Sequence, residues 1–245
     1  MIENYVVIDL EMTGLNPKTD VILETGAVRI REGKVADTHT AILRVDRPLP
    51  EKIVELTGIT EEMTANGREP KEVMQEFFSF VGEDILVGQN IIFDYSFLKQ
   101  WAVNHKISFE RNAVDTLKLA RQFMSKEEKK NLESLCCYFG VTRRNAHRAL
   151  DDALETWQIF ERLKQTYGIE NEIAFTPKPL LYKTKKQTPA TERQKKYLRR
   201  YAGYFDIALP ADMERMTRSE ASRLTDQWIA QYGKMCSEES QCTVH

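Results

Sequence analysis

Two acidic residues alternate along an apolar segment near the start of the chain. Asp9 and Glu11 lie in the run from Tyr5 to Met12, whose other members are apolar and predict a buried strand. Because side chains alternate between the faces of a strand, both carboxylates emerge from one face. Such a pair suits Mg²⁺ or Mn²⁺, which prefer hard oxygen donors. Taken alone, the pair is equally compatible with a solvated strand face.

Two later segments carry residue types for the same chemistry. Asp94 follows the run VGQNIIF in the first turn of a predicted helix, where the helix dipole alone would favour an acid. His147 precedes Asp151 and Asp152 near the start of another predicted helix. The chain has only 4 histidines, and one beside two carboxylates is a candidate proton acceptor near neutral pH. Helical spacing favours Asp151, at i+4, as the acid nearer to this histidine.

Together these side chains form the set that phosphodiester hydrolysis with two metal ions requires. Several carboxylates must hold two cations about 3.5–4 Å apart, next to the attacking and leaving oxygens. A base must also accept the proton of the attacking water. The sequence therefore predicts a metal-dependent hydrolase of phosphodiesters.

Three segments resemble, in order and spacing, the exonuclease motifs of the DEDDh family. They are DLEMTGL with ILETGAV, then VGQNIIFDYSFL, then HRALDDA. The resemblance covers about residues 3–167 and is strongest to the DnaQ-like proofreading exonucleases, such as the epsilon subunit of DNA polymerase III and the exonuclease domain of PolC. It implies an α/β fold of the RNase H-like type, a mixed sheet flanked by helices.

The resemblance also implies a role for each acidic position and for the histidine. Asp9 would bridge two Mg²⁺ or Mn²⁺ ions, Glu11 and Asp152 would complete the first metal site, and Asp94 would help to hold the second. His147 would be the general base. The family pattern H-x-A-x-x-D selects Asp152 rather than the acid before it, and that choice depends on the resemblance alone.

Substrate contacts are implied at further positions. Met12, Thr13 and Gly14 match residues that hold the terminal nucleotide, and a glycine lets the backbone approach the sugar closely. Ile59 and Phe93 match apolar positions that wedge against or stack on the last bases. Ordinary core packing is an equally good interpretation of these two.

Two positions depart from the family pattern or fall outside its catalytic set. Gln89 stands where many relatives carry histidine, which should not abolish metal binding. Asp115 recurs in the family, and we predict a structural role for it.

The substrate remains open at this point. We predict a 3′→5′ exonuclease that releases nucleoside monophosphates from single-stranded DNA 3′ ends, of the proofreading or repair type. DLEMTGL and HRALDD also resemble oligoribonuclease, so an exoribonuclease for RNA turnover is the alternative, although VGQNIIFDYSFL fits the DnaQ-like branch better. A non-catalytic subunit that only binds nucleic acid is a third hypothesis, since a fold does not guarantee function.

The elements that must position these residues follow from periodicity. Three predicted strands, Tyr5–Met12, Val21–Ile30 and Val35–Val45, form an antiparallel meander. Helices and short strands then alternate, which indicates a mixed sheet covered by helices. The later strands are predicted at 85–90 and 112–115, and the later helices after Pro70 and at 116–123, 131–139 and 147–167.

The chain divides into four predicted parts. Residues 1–168 form the exonuclease domain. Residues 169–190 have no period and contain prolines, which predicts a linker. Residues 191–233 form a small helical module, because Thr191–Gln194 and Thr217–Glu220 both fit the capping-box pattern. Residues 234–245 are predicted to be a disordered tail.

Charge is distributed unevenly. The net charge is −2, yet 9 basic residues and only one acid, Glu192, lie between Lys178 and Arg200. This basic stretch is predicted to help grip a phosphate backbone or to dock a polymerase or repair protein. The remaining body is acidic and would repel nucleic acid unless some of its carboxylates hold cations.

Hydrophobicity and cysteine content indicate the cellular compartment. No stretch approaches the roughly 18 apolar residues that cross a bilayer, and no secretory signal opens the sequence. The 4 cysteines have no C-x-x-C spacing. We therefore expect reduced thiols, a cytoplasmic protein and no membrane partner.

Overall fold

The protein is described by a computed structural model that covers residues 1–184, 186–210 and 213–235. The chain divides into two compact units, Met1–Thr184 and Lys185–His245, here named the first and second units. Within the described ranges, no helix combines the length and the apolar character that crossing a membrane demands.

A mixed sheet forms the centre of the first unit. Its strands are β1 (Tyr5–Met12), β2 (Ile22–Arg31), β3 (Lys34–Ile42), β4 (Leu86–Gly88), β5 (Asn112–Asp115) and β6 (Lys178–Pro179). They lie in the order β3-β2-β1-β4-β5-β6. The first three strands form the predicted antiparallel meander, β4 and β5 run parallel to β1, and β6 is antiparallel to β5.

Helices cover both faces of this sheet. They are α1 (Glu51–Thr57), α2 (Glu61–Ala65), α3 (Pro70–Val81), α4 (Ile92–Asn104), α5 (Thr116–Phe123), α6 (Leu132–Phe139) and α7 (Ala149–Tyr167). Local sequence explains their starts: Pro70 opens α3 at a position where no amide partner is needed, and Asp115 and Asn131 cap α5 and α6 through their side chains. Gly140 ends α6 in the left-handed conformation.

Alternation along β1 divides the core in two. Even-numbered side chains such as Ile8 pack against α3 and α4. Tyr5 and Val7 pack on the opposite face, against α5, α6 and α7. The same period places Asp9 and Glu11 on the α7 face, beyond the apolar part of the strand. Burial of the two apolar clusters therefore fixes the direction of the two carboxylates.

The predicted linker, residues 169–190, starts too early in the chain, because its first part folds with the first unit. Phe175 is fully buried between Phe123 and Phe160, and β6 adds a strand to the sheet next to β5. Leu180 is also buried in the core. Residues 169–184 therefore belong to the first unit. Single buried apolar residues in an irregular segment produce no hydrophobic periodicity, so the sequence pattern did not predict their burial.

The start of α7 also differs from the prediction. The helix begins at Ala149, and His147 precedes it with a left-handed backbone, φ 60°. His147 is therefore in a turn and not on the helix, so the helical spacing that favoured Asp151 does not apply.

The second unit contains α8 (Glu192–Phe205) and α9 (Arg218–Tyr232). Both predicted capping boxes are present, at Thr191 and Thr217. The two helices share a small apolar core that includes Tyr201, whose hydroxyl donates to the Trp228 carbonyl at 2.9 Å. Most of the predicted tail, residues 236–245, lies outside the described residues.

Candidate active site

The first part of the site is built by pairing of β1 with β2. Asp9 lies opposite Gly26, and Glu11 lies opposite Glu24. Because directly opposed residues of an antiparallel pair point to the same face, three carboxylates share the α7 face of the sheet. The register shifts immediately after Glu11, and such an irregularity ends regular pairing at the point where these side chains emerge.

The turn before α7 brings the histidine to these acids. One ligand atom each of Glu11, His147 and Asp152 lies within 4.8 Å of the other two. Glu11 and Asp152 are 8% and 6% exposed, so they are nearly removed from solvent. Asp151 instead points to Asn145, whose side-chain amide donates to it at 2.9 Å. The tertiary structure thus places Asp152, and not its neighbour, beside His147.

Asp94 reaches the same place from the other side of β1. It lies in the first turn of α4 and is buried, and it accepts a hydrogen bond of 3.1 Å from the Leu10 amide. Helix α4 begins after Ile91 with no side-chain cap. Asn90, two residues before the helix, has a left-handed backbone, and its backbone N–H donates to the Asp115 carboxylate at 3.1 Å. Asp115 therefore supports the turn that carries Asp94.

Burial and neighbouring like charges both act on these carboxylates. Burial, then the charge of Asp94 and that of Glu11, raise the pKa of Asp9 well above its usual range. Burial, then the charge of Asp152, raise the pKa of Glu11 to about 8. Burial also raises the pKa of Asp94. The cluster carries more negative than positive charge. Bound cations would stabilise the ionised carboxylates and lower their pKa values.

This donor set fits divalent metal ions. The carboxylates of Asp9, Glu11, Asp94 and Asp152 offer only hard oxygen atoms, and no cysteine of the described residues takes part in the cluster. Mg²⁺ and Mn²⁺ match such donors.

Glu24 is a residue of the site that sequence reasoning did not assign. Its buried carboxylate accepts from Arg148 at 2.7 Å and from the Ala149 amide at 3.0 Å. It therefore anchors the first turn of α7, directly after His147 in the chain. Gly26 allows the approach, because a methyl group there would lie 2.2 Å from the Ala149 carbonyl carbon. A buried acid opposite Glu11 within ILETGAV was the signal that could have revealed this role.

We predict that Glu24→Gln lowers the free energy of unfolding by about 1–3 kcal/mol, because charge-assisted hydrogen bonds are lost in a buried place. Arg148→Gln should also lower the free energy of unfolding, and the double variant should lose less than the sum of the two single losses. Denaturant unfolding of the single and double variants measures this coupling.

The matched control is Arg68→Gln, which breaks a solvent-exposed pair with Glu76 and should leave stability nearly unchanged. Additivity of Glu24→Gln and Arg148→Gln would show that the pair does not hold the turn.

Arg143 is the second residue that the sequence did not reveal. It donates to Asp152 at 2.7 Å and to Glu155 at 2.8 Å. Burial raises the pKa of Asp152 and of Glu155, and the positive charge of Arg143 counteracts part of that rise. Glu155, at i+3 from Asp152 on the buried face of α7, was the only local indication of this network.

The predicted nucleotide-binding loop follows β1. The Thr13 hydroxyl accepts from the Val21 amide and from Arg47, each at 3.0 Å, so its acceptor capacity serves the loop itself. Met12 is likewise buried. Gly14 is partly exposed, and a methyl group on it would lie 2.6 Å from the Asp20 carboxylate. Of this trio, Gly14 leaves backbone surface for a nucleotide.

The two apolar positions have different environments. Ile59 has 0% exposed surface and packs in a satellite core with Leu23 and Leu49. A wedge at Ile59 is therefore incorrect for this conformation, since a side chain without surface cannot touch a base. Phe93 is partly exposed and packs edge-to-face on Phe97 at 5.5 Å, which leaves surface for stacking.

Gln89 uses both ends of its amide within the protein. Its nitrogen donates to the Lys130 carbonyl at 2.7 Å, and its oxygen accepts from Thr116 at 2.6 Å. The residue that replaces the histidine of many relatives thus serves the fold.

The raised pKa values predict a pH effect on stability. The folded protein without metal holds protons on Glu11 up to about pH 8, whereas the unfolded chain releases them near 4.5. The folded state binds more protons in this window, so the free energy of unfolding should fall as the pH rises through it. Mg²⁺ or Mn²⁺ should restore stability most strongly at the alkaline end.

Thermal unfolding at about pH 5.5 and about pH 8, with EDTA and then with metal, measures this effect. Glu11→Gln should flatten the pH dependence. A melting temperature that rises toward pH 8 in EDTA would contradict the assignment.

Comparison with known proteins agrees with this geometry. The family model for RNase_T, described as an exonuclease, matches residues 6–160. The chain therefore belongs to the RNase_T exonuclease family, as the resemblance predicted, and it has the fold of DEDDh-type 3′→5′ exonucleases.

Individual relatives support the same family. The chain is 40% identical over 159 residues to DNA polymerase III PolC-type from Thermotoga maritima, a match that covers 64% of this chain and 12% of that protein. It is 35% identical over 170 residues to the DNA polymerase III subunit epsilon of Aquifex aeolicus, covering 67% and 84%. The chain thus spans only a small part of the PolC-type relatives.

A solved structure supports the fold. Exonuclease X in complex with 5′ overhanging duplex DNA is 25% identical, with a TM-score of 0.55, and the alignment covers 67% of this chain and 93% of that one. The predicted RNase H-like fold is confirmed.

Proposed function

We propose that this chain is a metal-dependent 3′→5′ exonuclease that releases nucleoside monophosphates from single-stranded DNA 3′ ends, in proofreading or repair. The observation that carries the proposal is the convergence of Glu11, His147 and Asp152 within 4.8 Å, with Asp94 held against the same strand. These groups come from β1, α4, and α7 with its preceding turn, so only the tertiary fold assembles them.

The roles follow from the chemistry of the donors. Asp9, Glu11, Asp94 and Asp152 would hold two Mg²⁺ or Mn²⁺ ions. Cations bound there supply positive charge to the attacking and leaving oxygens of the phosphodiester. His147 would accept the proton of the water that attacks phosphorus, while the bond from phosphorus to the 3′ oxygen breaks. Gly14 and Phe93 would contact the terminal sugar and bases.

DNA is favoured as the substrate by the relatives. Their names describe DNA polymerase III polypeptides, and Exonuclease X was solved with DNA. A polymerase or repair protein is the partner we propose, and the cytoplasm is the compartment where such a complex acts.

One assay separates the candidate functions. Purified protein is incubated with 5′-labelled single-stranded DNA, RNA of the same sequence and a dinucleotide, with Mn²⁺ or Mg²⁺ and then with EDTA. A DNA ladder that shortens from the 3′ end only with metal supports the proposal. Preference for RNA or for the dinucleotide would favour an exoribonuclease, and no cleavage of any substrate would favour a non-catalytic binding subunit.

A further inference from the structure

The basic residues of α8 divide between two faces of the helix. Lys195 and Arg199 lie one turn apart and both pair with Glu214, the lysine at 2.9 Å. Their charge is therefore used inside the second unit, where it fixes the segment between α8 and α9.

The other face carries Arg193, Lys196 and Arg200. All are exposed, and within the described residues none makes a hydrogen bond or an ion pair. Their i, i+3, i+7 spacing puts them on one stripe, separated along the axis by about 4.5 and 6 Å at 1.5 Å per residue. Free positive charge is thus arranged in a row.

This row borders a groove of about 460 Å³ between α8 and α9. Tyr197 contributes a partly exposed aromatic ring to it. Ser222 and Thr225 add hydroxyl groups from α9, and Asp226 is the acid among its lining residues. The groove therefore combines three cations and one carboxylate with hydrogen-bond donors.

Such a lining matches a phosphate backbone better than a protein segment. The cores of protein interfaces are depleted of charged residues, whereas this groove is lined by three long cationic side chains. Single strands are held by cations that follow the phosphates and by aromatic rings on which bases stack. Both features occur here on one surface.

We propose that the groove between α8 and α9 binds the sugar–phosphate backbone of a single-stranded nucleic acid. This inference depends on the proposed function for the nature of the strand, which is the substrate of the nuclease. Because the second unit is covalently joined to the catalytic unit, binding here raises the effective concentration of long strands and leaves the chemical step unchanged.

The test uses the full chain and two charge-matched double variants. Lys196→Ala with Arg200→Ala removes two charges from the groove, and Arg223→Ala with Lys234→Ala removes two exposed charges of the same unit that do not line it. Affinity for 3′-blocked oligothymidylate and oligouridylate is measured in EDTA by fluorescence anisotropy over a range of salt concentrations.

The groove variant should reduce the slope of log affinity against log salt by about 1.4, since each contact to a single-strand phosphate contributes about 0.7. That difference amounts to about sevenfold between 50 and 200 mM salt. The control variant should keep the wild-type slope. Asp226→Asn should strengthen binding, a gain that damage to the fold could not produce.

A small substrate distinguishes this proposal from the catalytic one. Hydrolysis of the p-nitrophenyl ester of thymidine 5′-phosphate with Mn²⁺ should be the same in wild type and groove variant. If that activity is present but the salt slope does not change, the groove proposal is overturned, and a protein ligand becomes the better occupant. If the ester is not hydrolysed by wild type while the slope still changes, the proposed catalysis fails and the groove stands.

Discussion

Replacing Asp9 by asparagine is expected to lower kcat/KM for single-stranded DNA by about 10³-fold or more. The charge of a correctly placed metal ion contributes several kcal/mol to the transition state, and each 1.36 kcal/mol corresponds to about tenfold in rate. Asparagine has nearly the same shape but is neutral and a poorer ligand. Steady-state hydrolysis of a 5′-labelled strand with Mn²⁺ measures the loss.

The same substitution should stabilise the protein without metal. Burial, then the like charges of Asp94 and Glu11, raise the pKa of Asp9, so a neutral amide there removes the cost of keeping an ionisable carboxyl at this buried position. A higher melting temperature in EDTA together with lost activity would exclude unfolding as the cause. Asp37→Asn is the control, because Asp37 is an exposed acid of strand β3, which β2 separates from β1. Activity of Asp9→Asn within about tenfold of wild type would remove Asp9 from the metal site.

Substitution of His147 by asparagine should lower kcat by about 10²–10⁴-fold, the range contributed by a positioned general base. Asparagine is chosen because His147 has φ 60°, a conformation that asparagine tolerates better than most residues. Binding of Mn²⁺, followed as a thermal shift, should persist, since the carboxylates remain. A quench-flow or initial-rate assay at saturating metal measures kcat.

Two controls make this experiment specific. His105→Asn alters an exposed histidine stacked on Trp101 and should leave kcat unchanged. His147→Ala should recover part of its turnover when imidazole is added, because a free base can then enter the space. Loss of the metal-induced thermal shift in His147→Asn would mean that the histidine is a ligand and not the base.

Part of the fold was predictable because it depends on local sterics. Strand β1 was predicted with its observed bounds, from a run of apolar residues. Helix α5 was also predicted with its observed bounds, and both capping boxes of the second unit are present. Each of these signals lies within a few residues of the element it defines, where backbone and side-chain preferences act directly.

Features that depend on distant contacts were predicted less well. Phe175 is buried by aromatic rings of α5 and α7, and nothing in its own segment indicates this. Ile59 resembles a substrate contact by position, yet neighbours from β2 and the preceding loop enclose it completely. Arg143 becomes part of the site only through Asp152 and Glu155 on the following helix.

The sequence by itself determined the residue types of the site and the face of β1 that carries Asp9 and Glu11, because alternation is a property of any strand. The tertiary structure decided which acid meets His147. The left-handed turn before α7, held by Glu24 across 125 residues of chain, brings Asp152 rather than Asp151 to Glu11. A local period cannot encode such a choice, because it depends on how closely two separately formed elements can pack.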